Sequence, residues 1–305
     1  MADRGRALLL NSLREFEWFV AVDWSGAQGA RHKAITVAIA HADGGAPVLV
    51  ERQRGWARSE ILAVLREDLP DNALVGLDLG IALPFNDASA YFPGWDRSPT
   101  DAKALWAMID AVCEGDEHLS ASSFVDHPVA SAYFRRHGGR EGELFALHGQ
   151  SGGRGRFRVT ERAQEAVGCK PYSNFNLVGA AQVGKSSLTG MRVLHALDGA
   201  LPVWPIDPLP HDGSVVVEIY TALAAIAAGR SASKSKIRSF EELNTALANL
   251  GSAPVGGSGA IDDHASDALI TAAWLRQAAG NVALWAPEGM TRQIAQTEGW
   301  TFGVP

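Results

Sequence analysis

Five carboxylates stand where an apolar run ends or a helical run begins. Asp23 closes residues 16–24 (FEWFVAVDW), and Asp78 closes residues 73–79 (ALVGLDL). Glu218 is flanked by Val215, Val216, Val217 and Ile219, so it lies within an otherwise buried run. Asp263 and Asp267 are four residues apart at the start of a helical pattern and so share one helix face. Burying an unpaired carboxylate is expensive, so acids in such places are expected to be paired or to bind a metal. Mg²⁺ and Mn²⁺ favour carboxylate oxygens. Two such ions held between shared acids activate a water and steady the leaving oxygen of a phosphodiester. Each acid also has a plainer role. Asp23 can cap the turn at Gly26 and Asp78 the turn at Gly80, and Asp263 and Asp267 can complement a helix dipole. Glu218 needs a partner on either view.

Cationic and donor groups lie near these acids in sequence. His264 sits between Asp263 and Asp267 as a ligand, a proton carrier or a capping side chain. Lys234 and Lys236, with Arg238, follow the Glu218 run and are placed to hold substrate phosphate. Arg135, Arg136, His137 and Arg140 form another basic group, expected to be a solvated face, and Arg154, Arg156 and Arg158 a third. Residues 179–186 (GAAQVGKS) match the phosphate-loop pattern G-x-x-x-x-G-K-[ST], in which Lys185 would reach phosphate oxygens. That pattern needs a buried strand ahead of it. Residues 170–178 (KPYSNFNLV) carry Pro171 and two asparagines and make a poor one. The expected role of the segment is a glycine-rich loop before a helix that brings Lys185 to the acids.

The elements that must position these groups read β-β-β-α-β over the first third. Strands are expected at 16–24, 33–42 and 47–54, a helix at 59–68, and a strand at 73–79. Helices follow at 99–114, opened by Ser98 and Pro99, and at 160–167 and 186–197, with a Gly- and Arg-rich loop over 141–158 between the first two. A strand at 215–220, helices at 222–228, 239–250 and 262–279, and a short strand at 282–285 complete the chain.

Hydrophobic residues make up 47% of the 305 and charged ones 20%, enough for a sizeable core. The net charge of −7 argues against a broad basic grip on long DNA, so any contact with nucleic acid or nucleotide must be local. No apolar run approaches membrane-spanning length, and Leu8 to Leu10, followed by Arg14, Glu15 and Glu17, is too short and acidic for a secretory signal. Cys113 and Cys169 fit no metal spacing and are expected as reduced thiols in a cytoplasmic protein without membrane contact.

The stretches VAVDWSGA (20–27), LVGLDLGIALP (74–84), VGAAQVGKSSLTGMRVLHAL (178–197), VWPID (203–207), VVVEIYTAL (215–223) and DDHASDALITAAW (262–274) occur in an order that resembles a group of predicted nucleases with an RNase H-like fold, domain of unknown function 429. The resemblance implies an α/β chain, 1–305, forming one domain. Its mixed sheet has three antiparallel strands followed by parallel ones, flanked by helices, with a helical and loop insertion around 85–200. It implies a metal-dependent phosphodiester hydrolase in which Asp23, Asp78 and Asp267 converge, with Glu218 and Asp263 beside them, on Mg²⁺ or Mn²⁺. Thr221 departs from the pattern, which tends to carry proline after the strand acid. Alternatives are an NTPase or kinase that uses GAAQVGKS, and a non-catalytic binding protein of the same fold.

Overall fold

A computed structural model describes residues 14–136, 138, 140–146, 153–179, 182–231 and 236–305. Two apolar runs, β1 (Trp18–Asp23) and β4 (Ala73–Leu77), are buried along nearly their whole length, the mark of strands covered on both faces. They lie side by side and parallel at the centre of a six-stranded sheet. On one side β2 (Thr36–His41) and β3 (Val48–Leu49) continue it antiparallel; on the other, β8 (Val215–Glu218) and β7 (Val203–Trp204) continue it parallel. The order is β3-β2-β1-β4-β8-β7. The chain is therefore α/β with three antiparallel strands followed by parallel ones. The third strand is two residues long rather than the eight expected, because pairing stops once Val50 has bonded to Val37.

Pleating divides the sheet side chains between two cores. Val20, Val22, Val75, Leu77 and Val216 face one; Phe19, Ala21, Leu74, Val215 and Val217 face the other. The first core is completed by α1 (Arg58–Ala63), α2 (Ala102–Val112) and α5 (Val183–Ala196), through residues such as Ile61, Leu105, Ile109 and Leu188. Between α2 and α5 lie α3 (Ser122–Val125), the hairpin β5 (Arg135–Arg136) and β6 (Arg140–Glu141), and α4 (Val159–Ala166). The second core is closed by α6 (Thr221–Ala227), α7 (Phe240–Asn249) and α8 (Asp263–Ala279). Gly76 lets that layer approach: a Cβ there would lie 2.7 Å from Ile219 and 3.0 Å from Leu275 of α8.

Two expectations about elements fail. Residues 282–285 are not a strand but the short helix α9 (Val282–Trp285), because Asn281 accepts the Ala283 amide and turns the chain helically. A four-residue apolar run has no period that separates the two states. The last helix, α10 (Arg292–Thr297), carried too little pattern to be expected at all. The start of α2 is set by Asp101, whose side chain accepts the Ala104 amide, and not by Ser98 and Pro99.

Candidate functional site

The register of three parallel strands brings three of the acids to one edge of the sheet. Val22 pairs with Leu77 and Leu77 with Glu218, so β1, β4 and β8 end level. Asp78 continues the ladder for one more bond, its amide donating to the Val22 carbonyl at 2.9 Å. This is the carboxyl end of the parallel strands, where open α/β sheets present their ligands. The helix α8 packs across β1 and β2. Its first turn is fixed by Asp262, which accepts the amides of His264 at 3.0 Å and Ala265 at 3.2 Å. That cap points His264 and Asp267 over the strand ends.

Asp23 and His264 meet at 2.6 Å, Oδ2 to Nδ1. Lys236 lies 3.0 Å from Asp267 and 3.6 Å from Asp263. Asp78 lines the cavity and keeps some exposure through it, with its carboxyl otherwise enclosed by protein. Burial, then the charges of Asp23 and Asp267, push that carboxyl well above the usual carboxylate range; the Thr221 amide, donating to it, works in the opposite direction. Burial also raises Asp23 and Asp267, against the pull of His264 and Lys236 respectively. The hydrogen bond to Asp23 raises His264 in turn. Burial would lower Lys236, but Asp267, Asp263 and Asp23 more than reverse this. The result is a negative cluster, partly neutralised by one lysine and one histidine. Asp263 lies at its rim, with its side chain 43% exposed.

Glu218 lies on the other pleat face and takes a different partner. By register it shares a pleat face with Leu77 and Val216, whereas Asp23 and Asp78 follow Ala21 and Gly76 onto the α8 face. Its oxygens accept Arg158 Nη1 and Nη2 at 2.7 and 2.5 Å, Thr301 Oγ1 at 2.5 Å and the Ile81 amide at 2.8 Å. Arg158 also binds Glu161 at 2.6 Å and the Glu298 carbonyl at 2.9 Å. Glu218, expected as a metal ligand with Asp23 and Asp78, has an arginine as its partner here, although it lines the same cavity as Asp78 and its charge helps to raise that carboxyl. Of the arginines at 154–158, Arg156 and Arg158 are buried, Arg156 on Asp87, and only Arg154 is exposed.

Beside the acids opens a cavity of about 600 Å³, walled by Asp78, Lys185, Lys236, His264, Asp267 and the exposed ring of Tyr172. The Gly-Lys-Ser segment forms the opening turn of α5. No strand leads directly into Gly179 among the described residues. Gly179 takes a positive φ of 81°, whereas Gly184 and Gly26 answer to close packing. A Cβ at Gly184 would lie 2.4 Å from the Asn174 carbonyl oxygen, and one at Gly26 would lie 2.3 Å from the Lys185 carbonyl carbon. The segment thus serves as a wall that holds Lys185 in the cavity, where burial lowers its pKa. Lys234 and His137 lie outside the described residues. Cys113 and Cys169 are buried free thiols.

Among the described residues, no three His, Cys, Asp or Glu side chains are grouped closely enough to hold a metal ion as they stand. No helix is long and apolar enough to cross a membrane among the same residues. Compared with known proteins, the chain matches no protein-family model, no curated protein and no solved structure.

Proposed function

We propose that this chain is a metal-dependent phosphodiester hydrolase with an RNase H-like fold, acting on nucleic acid at Asp23, Asp78 and Asp267. The observation that carries the reading is Asp78. Its enclosed carboxyl is pushed up in pKa by burial and by the charges of Asp23, Asp267 and Glu218, with the Thr221 amide working the other way. A fold keeps such a group when something positive completes it. The sheet order, with its antiparallel trio beside parallel strands, is the arrangement the family resemblance implies.

The donor set suits Mg²⁺ or Mn²⁺: hard carboxylate oxygens from adjacent strand ends and one helix face. Asp23, Asp78 and Asp267 would hold the ion, and it would supply charge neutralisation and an activated water. Lys236 and His264 now pair with Asp267 and Asp23, so they are the cations that must yield. The released Lys236, together with Lys185, then faces the cavity and holds substrate phosphate. His264, freed from Asp23, becomes able to hand a proton to a leaving oxygen. Asp263 belongs with Lys236 at the rim. Tyr172, 54% exposed on the cavity wall, presents a flat face on which a base can stack.

The test is cleavage of single- and double-stranded DNA and RNA with Mn²⁺, alongside calorimetric Mn²⁺ titration. Wild-type protein is expected to cleave at least one substrate, and Asp23→Asn and Asp78→Asn to lose both cleavage and metal binding. Activity that survives Asp78→Asn ends this reading. Strand binding without cleavage by the wild type points instead to a non-catalytic binding protein.

A further inference from the structure

We infer that a second, basic cavity beside the acidic cleft holds a neighbouring phosphate of a single-stranded nucleic acid, so that the strand crosses Lys185 between the two. The inference rests on the hydrolase site described above and names the form of its substrate.

The second cavity, of about 210 Å³, shares Gly26 and Lys185 with the first. Its other walls bring Arg136 of β5, Arg140 of β6 and Ser122 of α3 to one space. Among the described residues, three cations and one carboxylate, Asp126, thus line it. Asp126 does little to neutralise Arg136: it lies 3.4 Å away with its side chain 76% exposed, where water screens the pair. The Arg136 Nε–H is enclosed and meets no acceptor among the described residues. Gln28 and Ser122 add an amide and a hydroxyl, 3.3 Å apart.

This positive concavity stands out in a chain of net charge −7. Arginine forks and a lysine around a small recess suit the tetrahedral oxygens of a phosphate. The recess is too small for a duplex backbone with its paired strand, and the net charge of −7 argues against the broad basic face that duplex binding uses. A flexible single strand can lay one phosphate here and the next toward the acids. The shared Lys185 sets both phosphates on one path.

The experiment is fluorescence anisotropy with labelled single-stranded DNA and RNA, from a dinucleotide to about 12 nucleotides, with Ca²⁺ replacing Mn²⁺. The Arg136→Gln/Arg140→Gln double variant is expected to bind the longer strands about tenfold more weakly and the dinucleotide as wild type does. Its slope of log affinity against log salt should be shallower by about 0.7, because one phosphate fewer is neutralised. Ser122→Glu, which sets a negative charge on the opposite wall, should give the same length-dependent loss in a chain whose arginines are intact. Double-variant binding equal to wild type at every length, an equal loss at every length, or no strand binding by wild type would each overturn the inference. Cleavage separates the two ideas. Length-dependent loss in a protein that never cleaves leaves the second cavity standing and ends the hydrolase reading. Cleavage that ignores the arginines does the reverse.

Discussion

Arg158 closes on Glu218 through both carboxylate oxygens, at 2.7 and 2.5 Å, with both side chains almost wholly buried. The same guanidinium holds Glu161, and Glu298 Oε2 accepts the Val159 amide next to it in the chain. One arginine therefore ties the end of β8 to the start of α4 and to the segment that follows α10. Arg158→Met would leave two buried acids without a counter-ion, a loss of about 3–5 kcal/mol. Glu218→Gln keeps Glu161 as partner and should cost about 1–3 kcal/mol. Urea unfolding of both variants checks the order. Mn²⁺ titration of Glu218→Gln should match wild type, since Arg158 holds this acid; loss of metal binding there would restore Glu218 to the site.

Asp78 predicts a stability that falls as pH rises. Its folded pKa lies above its unfolded value, so between the two the folded chain binds more protons, and stability declines with rising pH across that window. Asp23 and Asp267 are raised as well and add to the trend. The metal-free protein should therefore lose thermal stability from the ordinary carboxylate range upward, and Asp78→Asn should flatten this slope while abolishing cleavage. Added Mn²⁺ should stabilise wild type most at the upper end of the window, where the acids are charged. Melting curves of both proteins across pH, with and without Mn²⁺, measure this. A wild-type slope of opposite sign would mean the acids are stabilised as anions.

Gly26 predicts that the Gly-Lys-Ser wall is a packing device. A Cβ at this position would meet backbone atoms of Lys185 and Ser186 at 2.3 and 2.4 Å, and backbone cannot swing aside. Gly26→Ala should cost about 1–3 kcal/mol as overpacking, and should displace the α5 start and lower activity with it. Lys185→Ala should unfold like wild type and weaken substrate binding alone. ATP should bind neither protein; ATP binding that depends on Lys185 would revive the nucleotide reading.

Much of this site is written locally. Asp23 and Asp78 end buried apolar runs, Asp267 lies one turn into a capped helix, and such boundaries are visible as residue patterns. Glu218 ends its strand just as plainly, and there the pattern misleads. Which pleat face an acid takes depends on register, a relation between distant segments, and one residue of offset sends Glu218 away from Asp23 and Asp78. Its partner Arg158 is 60 residues away, in a stretch whose glycines and arginines suggest an open loop. The basic recess is hidden for the same reason. Arg136 and Arg140 read as a solvated run until the hairpin sets them opposite Lys185, which is distant in sequence.

Thr221 offers the sharpest separation of fold from chemistry. It is the first residue of α6, where proline is tolerated because the amide there has no helical acceptor. Tyr220 before it is extended, at φ −133° and ψ 111°, the region that a following proline demands. Thr221→Pro should therefore fold with near wild-type stability. In this chain, however, the Thr221 amide donates to Asp78 and holds its pKa down. Proline removes that donor, so the Asp78 pKa should rise further, and the acidic limb of the activity profile should move to higher pH. Thr221→Ala keeps the amide and should leave the limb in place. Activity profiles of the three proteins with Mn²⁺ decide it. A limb that stays fixed in the proline variant would mean that Asp78 is not the group whose deprotonation admits the metal.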